Sequence, residues 1–463
     1  MDDLFLDTET GAETGSMSEA ALVKALSVGY GTDSAEFRGG RAMVPEDCEM
    51  TMINAMREQK EDCKMMNLIK KQPVKSTVHE YNRRLDVGDY ENATADEGGG
   101  SVDSDQEIER VTRMVKYIQI RRAVTDQAEI INGFENAFES EKLAGTIEAL
   151  KAAERLCFHG DSEVVPTEYD GIPKQILAST NPNITDLRGK SLGAAGEDVL
   201  SEMLYKISDR GGEANKLFLP LVLGMDLQAL CRDRLRFGVD DKAMTTVFNS
   251  YPTPYGTIQF GENEGVDKMY RVKGVVSPNG NAQKRPGAPT AVAVAAANAK
   301  SQFATADAGN YKYTIHAVNK YGISTGFPLA AAVAVAAGNG VTLTITPDAN
   351  NPGTGFIICR SSPSFPNVVM ELARIGKDKE NATTTFVDVN DDLPGTASML
   401  FLTEKKLQTI IQFDQLIPLR MRPLWESNEA KKPFFIQLFG TADVKVPEWC
   451  GIMKNIAFKG GLY

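Results

Sequence analysis

The 463-residue sequence is poor in the side chains that most often perform chemistry. It has only three histidines, at positions 79, 159 and 316, and six cysteines that never lie closer than 15 residues apart. Without a C-x-x-C pair, a zinc ribbon or a thioredoxin-type site has no basis. Unclustered thiols fit a reducing compartment, where buried cysteines act as small apolar side chains. The sequence therefore predicts no catalytic site, no metal and no cofactor.

Long apolar runs and an excess of positive charge are also missing. No stretch approaches the roughly 18 apolar residues of a transmembrane helix, so no membrane partner is expected. The acidic start, Met1 to Asp7, lacks the basic and apolar segments of a signal peptide. With 50 basic and 62 acidic residues the net charge is −12, which argues against a protein whose main work is binding phosphates. We expect a soluble, cytosolic chain.

What is present is an ordinary globular composition, with 42% hydrophobic and 24% charged residues. The length predicts about three compact units. Helical and strand-like segments alternate along the chain, which indicates an α+β fold. Helices are predicted over 136–158 and 196–210, and strands over 217–223, 434–439 and 452–458. The apolar positions of the first helix are Leu143, Ile147, Leu150 and Cys157.

Two segments with strand-like alternation, 76–81 and 111–120, enclose a strongly acidic one. Residues 85–109 contain nine acids, no base and the triple glycine 98–100. This pattern predicts a long β-hairpin with an acidic, flexible tip that stands away from the body. Because an isolated two-stranded ribbon is barely stable in water, we expect the arm to lie on a neighbouring copy of the chain.

The hairpin charges are then candidates for contacts between subunits, although a solvated charge run would explain the acidic tip equally simply. The acidic candidates are Asp86, Asp89, Glu91, Asp96, Glu97, Asp103 and Asp105. The basic candidates are Arg121, Arg122, Arg232, Arg234, Arg236, Arg420 and Arg422.

The composition changes abruptly after Arg285. Residues 286–350 contain only five charged residues, and short strands are predicted at 311–315, 341–345, 355–359 and 385–388. Short strands at this spacing predict a small β-sandwich inserted into the chain, over 286–395. The piece 291–299, in which six of nine residues are alanine, has the composition of a low-complexity linker.

Four short motifs could carry chemistry, and each has a simpler structural interpretation. Gly322-x-Ser324-x-Gly326 matches a hydrolase elbow, but no histidine follows it and its context is strand-to-strand, so we interpret it as a turn. Gly189-Lys190-Ser191 lacks the earlier glycine of a phosphate-binding loop and is interpreted as a surface loop. The other two are Cys157/His159/Asp161, interpreted as a helix end, and Asp388/Asp391/Asp392, interpreted as a solvated turn.

The order of these parts resembles the major capsid protein of tailed bacteriophages, which has the Hong Kong 97 fold, and most nearly that of large SPO1-like myoviruses. Segment 311–324 is similar to a late strand and turn of a fibronectin or immunoglobulin-like domain. The resemblance is carried by Lys75-Ser76-Thr77-Val78, Tyr81, Lys116-Tyr117, Glu154, Phe158, Gly160-Asp161, Tyr169-Asp170-Gly171-Ile172, Ile417-Pro418-Leu419, Phe439-Gly440, Val446-Pro447, Trp449, Ile452 and Lys454-Asn455-Ile456.

The resemblance implies a division of the chain. It comprises an N-terminal arm (1–72), an extended hairpin or E-loop (73–122), a peripheral P-domain with a spine helix (123–190), an axial A-domain (191–285), an inserted immunoglobulin-like β-sandwich (286–395) and a return to the A- and P-domains (396–463). Some members of the family cross-link a hairpin lysine to an asparagine. Residues 85–109 contain no lysine, so this cross-link has no donor there.

The implied function is structural and not enzymatic. Hexamers and pentamers of the chain would form an icosahedral head around double-stranded DNA, without sequence-specific binding, after assembly in the cytoplasm of a bacterial host. Portal, scaffold, maturation protease and decoration proteins are the implied partners. Two alternatives remain at this point: an encapsulin-like compartment shell, and a carbohydrate-binding or adhesive protein that acts through 286–395.

Overall fold

The computed structural model of the chain describes residues 63–88, 97, 105–130, 136–230, 250–263, 266, 284–404, 409–425 and 430–458. These residues lie in one compact unit, formed by 57–131 and 136–463. Most of the predicted N-terminal arm, 1–72, is outside the described residues. None of the helices in the described ranges is both long and apolar enough to cross a membrane.

The first half of the chain alternates helices with short strands. In chain order the elements are α1 (Lys64–Leu68), β1 (Lys70–Pro73), β2 (Val78–Asp86), β3 (Glu107–Met114), β4 (Lys116–Thr125), α2 (Asp126–Ile130), α3 (Ala137–His159), α4 (Ile172–Leu177), β5 (Asn183–Asp186), α5 (Leu192–Ala195), α6 (Asp198–Asp209), β6 (Lys216–Leu219), α7 (Leu221–Leu230), β7 (Ser250–Thr253) and β8 (Gly256–Glu262).

The second half of the described chain is almost entirely strands, apart from two short 3-10 turns. The strands are β9 (Thr290–Ala297), β10 (Gly309–Tyr311), β11 (Tyr313–Asn319), β12 (Gly322–Ile323), β13 (Phe327–Pro328), β14 (Val333–Val335), β15 (Asn339–Thr346), β16 (Gly355–Ser361), β17 (Val369–Gly376), β18 (Thr384–Asp388), β19 (Ala397–Leu402), β20 (Ile411–Pro423), β21 (Lys431–Val444) and β22 (Gly451–Ile456).

The long helix α3 confirms the prediction over 136–158, and Asn136 caps it by accepting a hydrogen bond from Phe138 N at 3.0 Å. Cys157 is buried as predicted, but the rest of the buried face differs from the predicted one. Leu143 is 61% exposed, whereas Gly145, Ala149 and Ala153 are buried. A β-carbon at Gly145 would meet the side chain of Ile436, so small residues let the helix lie close to the sheet beneath it.

That sheet has four strands in the order β1-β20-β21-β4, with β1 parallel to β20 and the other pairs antiparallel. The strand predicted over 111–120 is in fact two strands in different sheets. The break falls at Val115, which is 4% exposed and donates its backbone N–H to the Thr77 carbonyl at 2.8 Å. β3 therefore pairs with β2 alone, while β4 joins the four-stranded sheet.

A second, six-stranded sheet has the order β5-β22-β19-β6-β8-β7. Helix α6, which confirms the prediction over 196–210, buries Leu200, Met203 and Ile207 in the core that it shares with this sheet. The strand predicted over 217–223 ends early. β6 stops at Leu219, and after Pro220 the chain turns into α7.

Residues 284–395 form three small sheets, β18-β15-β9, β12-β11-β16-β17 with β13 also paired to β11, and β10-β14. Their core contains Tyr313, Leu343 and Phe356. The predicted strands at 341–345, 355–359 and 385–388 are confirmed. The linker interpretation of 291–299 is wrong, because β9 alternates half-buried alanines with exposed valines as an edge strand. That 286–395 is an inserted immunoglobulin-like domain stays a prediction.

Candidate assembly interface

The hairpin of β2 and β3 is a two-stranded sheet of its own. Val78 pairs with Met114 at the root, and Asp86 pairs with Glu107 at the far end. The alternating pattern gives the ribbon two faces. One face is half-buried and the other is exposed over its whole length.

The half-buried face is fixed to the chain's own four-stranded sheet. Arg113 Nε donates to Asp443 Oδ1 at 2.9 Å, and the Tyr81 hydroxyl donates to the same oxygen at 3.2 Å. His79 Nε2 lies 3.7 Å from Asp414 Oδ2. These contacts involve only the root, so the body of the chain holds the hairpin by its base.

The opposite face carries apolar side chains at its two ends, among polar ones such as Arg110 and Thr112. Ile108 and Met114 are 53% and 62% exposed, and Val78, which pairs with Met114, is 39% exposed. Exposed apolar groups on a thin ribbon are typical of a surface that another protein covers. This face is therefore the strongest candidate for burial between subunits.

The acidic candidates lie toward the end of the ribbon. Along the stem the acids are paired across the strands, with Arg83 bonded to Glu109 and Arg110 bonded to Glu80. Asp86 and Asp105, by contrast, accept hydrogen bonds from the backbone amides of Val87 and Gln106. Glu97 is exposed. Asp89, Glu91, Asp96 and Asp103 lie outside the described residues.

Three of the basic candidates share one surface. In the sheet register Arg422 lies opposite Phe435, which lies opposite Arg121, and Arg420 is two residues before Arg422. Arg121, Arg420 and Arg422 therefore point from the same face of the sheet, and all three are exposed. We call these three side chains the arginine face.

The fourth described arginine points the other way. Arg122 ion-pairs with Glu141 at 2.6 Å and with Glu148 at 2.5 Å, both on α3 of the same chain. The pairing raises the pKa of the Arg122 guanidinium. Arg122 thus helps to fix the helix to the sheet. Arg232, Arg234 and Arg236 are outside the described residues.

The residues that anchor the hairpin were not among the sequence candidates. Asp414 and Asp443 are 0% exposed and sit within predominantly apolar strands. A charged residue at an inward position of such a strand indicates that a hydrogen-bond or ion-pair partner lies nearby. Its partners, however, lie more than 300 residues away in sequence and cannot be read from spacing.

The turn around Ser324 is built as the sequence predicts. Ser324 Oγ accepts from Ala317 N at 2.8 Å and donates to the Thr325 carbonyl at 2.9 Å. His316 Nδ1 lies 3.2 Å from the Ser324 carbonyl oxygen and not from the hydroxyl. The serine is 4% exposed, so its hydroxyl closes a turn between strands.

The two possible metal-binding sets are engaged in other contacts. Asp161 pairs with Lys174 at 2.5 Å, while Cys157 is fully buried and burial raises its pKa to about 12. The solvated-turn interpretation is wrong for Asp388, which is 2% exposed and ion-paired with Arg360 at 2.6 Å. Asp391 pairs instead with Lys454. Within the described ranges no group of three or more His, Cys, Asp or Glu is arranged to hold a metal.

The loop at 189–191 has a structural explanation as well. Arg188 and Gly189 adopt positive φ angles of 52° and 73°, which form a tight turn. Ser191 then caps the short helix α5, with its hydroxyl 3.3 Å from Ala194 N.

The sequence of the chain is similar to those of known capsid proteins. The family described as SU10 major capsid protein matches residues 49–276. The major capsid protein of Staphylococcus phage K is 23% identical over 455 residues, which cover 94% of this chain and 95% of that protein. The putative major capsid protein of Enterococcus phage phiEF24C is 22% identical over 461 residues, with the same coverage.

Solved structures align over similar lengths. The capsid of a native GTA particle gives a TM-score of 0.46 at 9% identity, over 92% of this chain and 99% of that one. The capsid of cyanophage P-SCSP1u gives 0.46 at 9% identity, over 91% and 95%. The SrpI encapsulin of Synechococcus elongatus PCC 7942 gives 0.38 at 10% identity, over 90% and 94%.

The chain is a structural protein of capsid shells, and its fold is α+β. More specifically, it is a major capsid protein of the kind made by tailed bacteriophages, and its place is the capsid of the virion. The encapsulin alternative is the less supported of the two shell functions.

Proposed function

We propose that the hairpin of β2 and β3 reaches a neighbouring subunit and that this contact holds the capsid shell together. The observation that carries the proposal is the exposure of apolar side chains on one face of the ribbon, at Ile108 and Met114. A ribbon of two strands cannot bury these groups by itself. In a shell of identical copies, the nearest surface available to cover them belongs to a second subunit.

We further propose that the acidic end of the hairpin meets the arginine face of that neighbour. The two surfaces are opposite in charge, and Arg121, Arg420 and Arg422 point away from the α3 side of their sheet. Pairing of this kind would mainly set register and specificity between subunits, because exposed ion pairs contribute little stability.

The assembly state of the shell and its partner proteins are part of the same proposal. Subunits would assemble in the cytoplasm of a bacterial host into hexamers and pentamers of an icosahedral head that encloses double-stranded DNA. A net charge of −12 per copy suits a container, because DNA must slide past a wall that does not bind it tightly. Portal, scaffold, protease and decoration proteins would act on this shell.

Removing the hairpin tip tests the central contact. Replacing residues 87–106 with an Asn-Gly turn keeps the Asp86–Glu107 pair and both strands. We expect a folded subunit, with the circular dichroism and unfolding midpoint of the unaltered chain, that fails to form stable shells in electron microscopy. Shells of normal yield and heat resistance would refute the role of the arm.

Charge reversal tests the partner of the tip. Arg422→Glu is expected to lower shell yield, and the loss should shrink as salt is added, because repulsion between exposed charges is screened. The matched control is Lys300→Glu, which changes net charge equally at an exposed position of the sandwich. Equal yields for both variants would exclude the arginine face as the docking surface.

A further inference from the structure

A buried polar patch lies beneath the hairpin root, on the face of the four-stranded sheet opposite its apolar core. Gln412 pairs with Asp443, and Asp414 pairs with Thr441, so these four side chains lie on the same face. None is more than 4% exposed. Two carboxylates are therefore buried side by side where the hairpin meets the body.

The charged groups around the patch come from several elements. Gln412 Nε2 donates to Asp414 Oδ1 at 2.7 Å, and β1 places Lys70 and Gln72 in register with Gln412 and Asp414. From the hairpin, His79 faces Asp414, while Arg113 and Tyr81 bind Asp443. Acting at longer range are Lys445, just after β21, and Arg83 of β2.

Two carboxylate oxygens of the patch lack a hydrogen bond. Asp414 Oδ2 and Asp443 Oδ2 are both buried without a hydrogen-bond partner in the described part of the chain. Burial, reinforced by the Asp443 carboxylate and opposed by His79, raises the pKa of Asp414 to about 6. Burial also raises the pKa of Tyr81 far above neutrality, so its hydroxyl stays a donor to Asp443.

We propose that Asp414 and Asp443 form a proton-linked latch that sets how firmly the hairpin root is held. The inference rests on the proposed function only in taking the hairpin as the arm that reaches a neighbour. When Asp414 is protonated, the patch holds one carboxylate charge, which Arg113 matches. When Asp414 ionises, two negative charges share the buried face, and lifting the hairpin lets water relieve the repulsion.

The direction of the pH effect follows from linkage. The closed root binds the Asp414 proton more tightly than an open root, in which the carboxyl reaches solvent and regains an ordinary acidity. The closed state is thus favoured at low pH, and this advantage is lost as the pH rises through about 6. With one proton involved, we expect up to about tenfold more opening at pH 7 than at pH 5.

Hydrogen exchange of the full-length protein measures this opening. The amide of Val74, which donates to the Gln415 carbonyl at 2.9 Å across the hairpin root, is followed by mass spectrometry at both pH values and corrected for intrinsic exchange, with β19 as an internal reference for global unfolding. The root amide should show the tenfold change while those of β19 do not. Equal opening of the hairpin at the two pH values would overturn the latch.

Substitutions at Asp414 test whether its carboxyl group is the source of the pH effect. Asp414→Asn has the same shape but cannot ionise, so its hairpin should open equally at both pH values and less than the unaltered chain at pH 7. Asp414→Ser serves as a second non-ionising variant if the first does not fold. Glu380→Gln, at an exposed carboxylate of the segment 286–395, should keep the full pH response.

A non-ionising Asp414 variant that retains the full pH response would also overturn the proposal. Shell formation is recorded separately by sedimentation of the same samples. Loss of shells with an intact pH response would count against the proposed function and leave the latch standing.

Discussion

Single buried charges hold distant parts of this chain together. Glu154, near the end of α3, accepts from the backbone amides of Met65 and Met66 at 2.8 and 2.7 Å and from Asn263 Nδ2 at 2.8 Å. It therefore ties α1, the spine helix and the segment after β8 to one carboxylate. The glutamate belongs to the sequence pattern that resembles capsid proteins, and the structure shows what the carboxylate binds.

Removing this carboxylate should be costly. Glu154→Ala leaves three buried donors unsatisfied, and we expect a loss of about 2–4 kcal/mol in the free energy of unfolding. Glu154→Gln, which keeps one acceptor oxygen, should lose less. Glu139→Ala, on the exposed first turn of the same helix, is the matched control and should change stability little. Denaturant unfolding of the three variants compares them directly.

A second buried charge organises the sandwich. Arg360, 1% exposed, donates to Asp388 Oδ2 at 2.6 Å and to Asn390 Oδ1 at 2.7 Å, and Tyr313 donates its hydroxyl to the same Asp388 oxygen at 2.8 Å. Desolvation opposes ionisation of the guanidinium, but Asp388 outweighs it and the pKa of Arg360 is raised. The Arg360 guanidinium therefore keeps its positive charge.

Breaking this pair should destabilise the sandwich strongly. Arg360→Met leaves Asp388 buried with its charge uncompensated, which costs about 3–5 kcal/mol. The double variant Arg360→Met/Asp388→Asn should recover part of the loss because no buried charge remains. For comparison, Arg155→Met removes a half-exposed pair with Glu168 and should cost under about 1 kcal/mol. A double variant no more stable than Arg360→Met would contradict this account.

At the scale of elements, the end of the spine helix depends on one glycine. Gly160 donates its backbone N–H to the Leu156 carbonyl at 2.9 Å, and its φ of −62° is open to any residue. Space, and not conformation, is what requires glycine: a β-carbon there would overlap the carbonyl oxygen of Tyr169. The chain after the helix folds back directly over this position.

Gly160→Ala should therefore push the Tyr169 segment away from the helix end. We expect a loss of about 1–3 kcal/mol in the free energy of unfolding, as for other overpacked sites. Gly193→Ala in α5 is the matched control, because a β-carbon there meets nothing within 4 Å. Thermal unfolding of both variants tests the contrast, and equal stability would show that the segment moves freely.

Periodicity in the sequence was sufficient for the elements with a regular environment. The positions of α3, α6 and the sandwich strands β15 and β16 could be predicted from local apolar pattern, although the pattern did not give the buried face of α3 or the burial of β16 on both faces. The prediction failed where tertiary contacts decide the outcome. The alternation over 111–120 continues through Val115 although the chain changes sheets there, and β9 has a linker's composition but is held by its pairing with β15.

The candidate site also has features that the sequence predicts and features that depend on tertiary contacts. Alternation and charge were enough to predict the hairpin stem and its acidic end. That Arg121, Arg420 and Arg422 share a face while Arg122 turns to α3 depends on the register between β4, β20 and β21. The pairing of His79 and Arg113 with Asp414 and Asp443 joins opposite ends of the chain, and one sequence does not reveal it.

At the scale of the whole molecule, the sandwich rests on the segment that follows the spine helix. Val164 and Val165 pack with Val318, Ile357 and Cys359, and the Thr354 hydroxyl donates to the Val164 carbonyl at 2.7 Å. The segment 286–395 therefore covers apolar groups of the remaining chain. Its removal leaves those groups exposed.

We expect deletion of 286–395 with a short linker to preserve folding of the remaining chain, provided that the uncovered valines are made polar. Val164→Ser/Val165→Ser in the deleted chain should give a monodisperse protein, while the deletion alone should associate through the exposed patch. Size-exclusion chromatography and circular dichroism distinguish the two. Aggregation of both proteins would mean that the sandwich is integral to the body.

The outer edge of the sandwich has a consequence for how such chains must be handled. β9 runs for eight residues without a charge, a proline or a bulge, and Val292 and Val294 on it are 66% and 58% exposed. Within the part of the chain that the structure describes, only one side of this strand is paired. Strands of this kind recruit one another in concentrated solution. At high concentration, unassembled chains are therefore expected to associate through β9. Val294→Lys is the simplest substitution that should keep free subunits in solution.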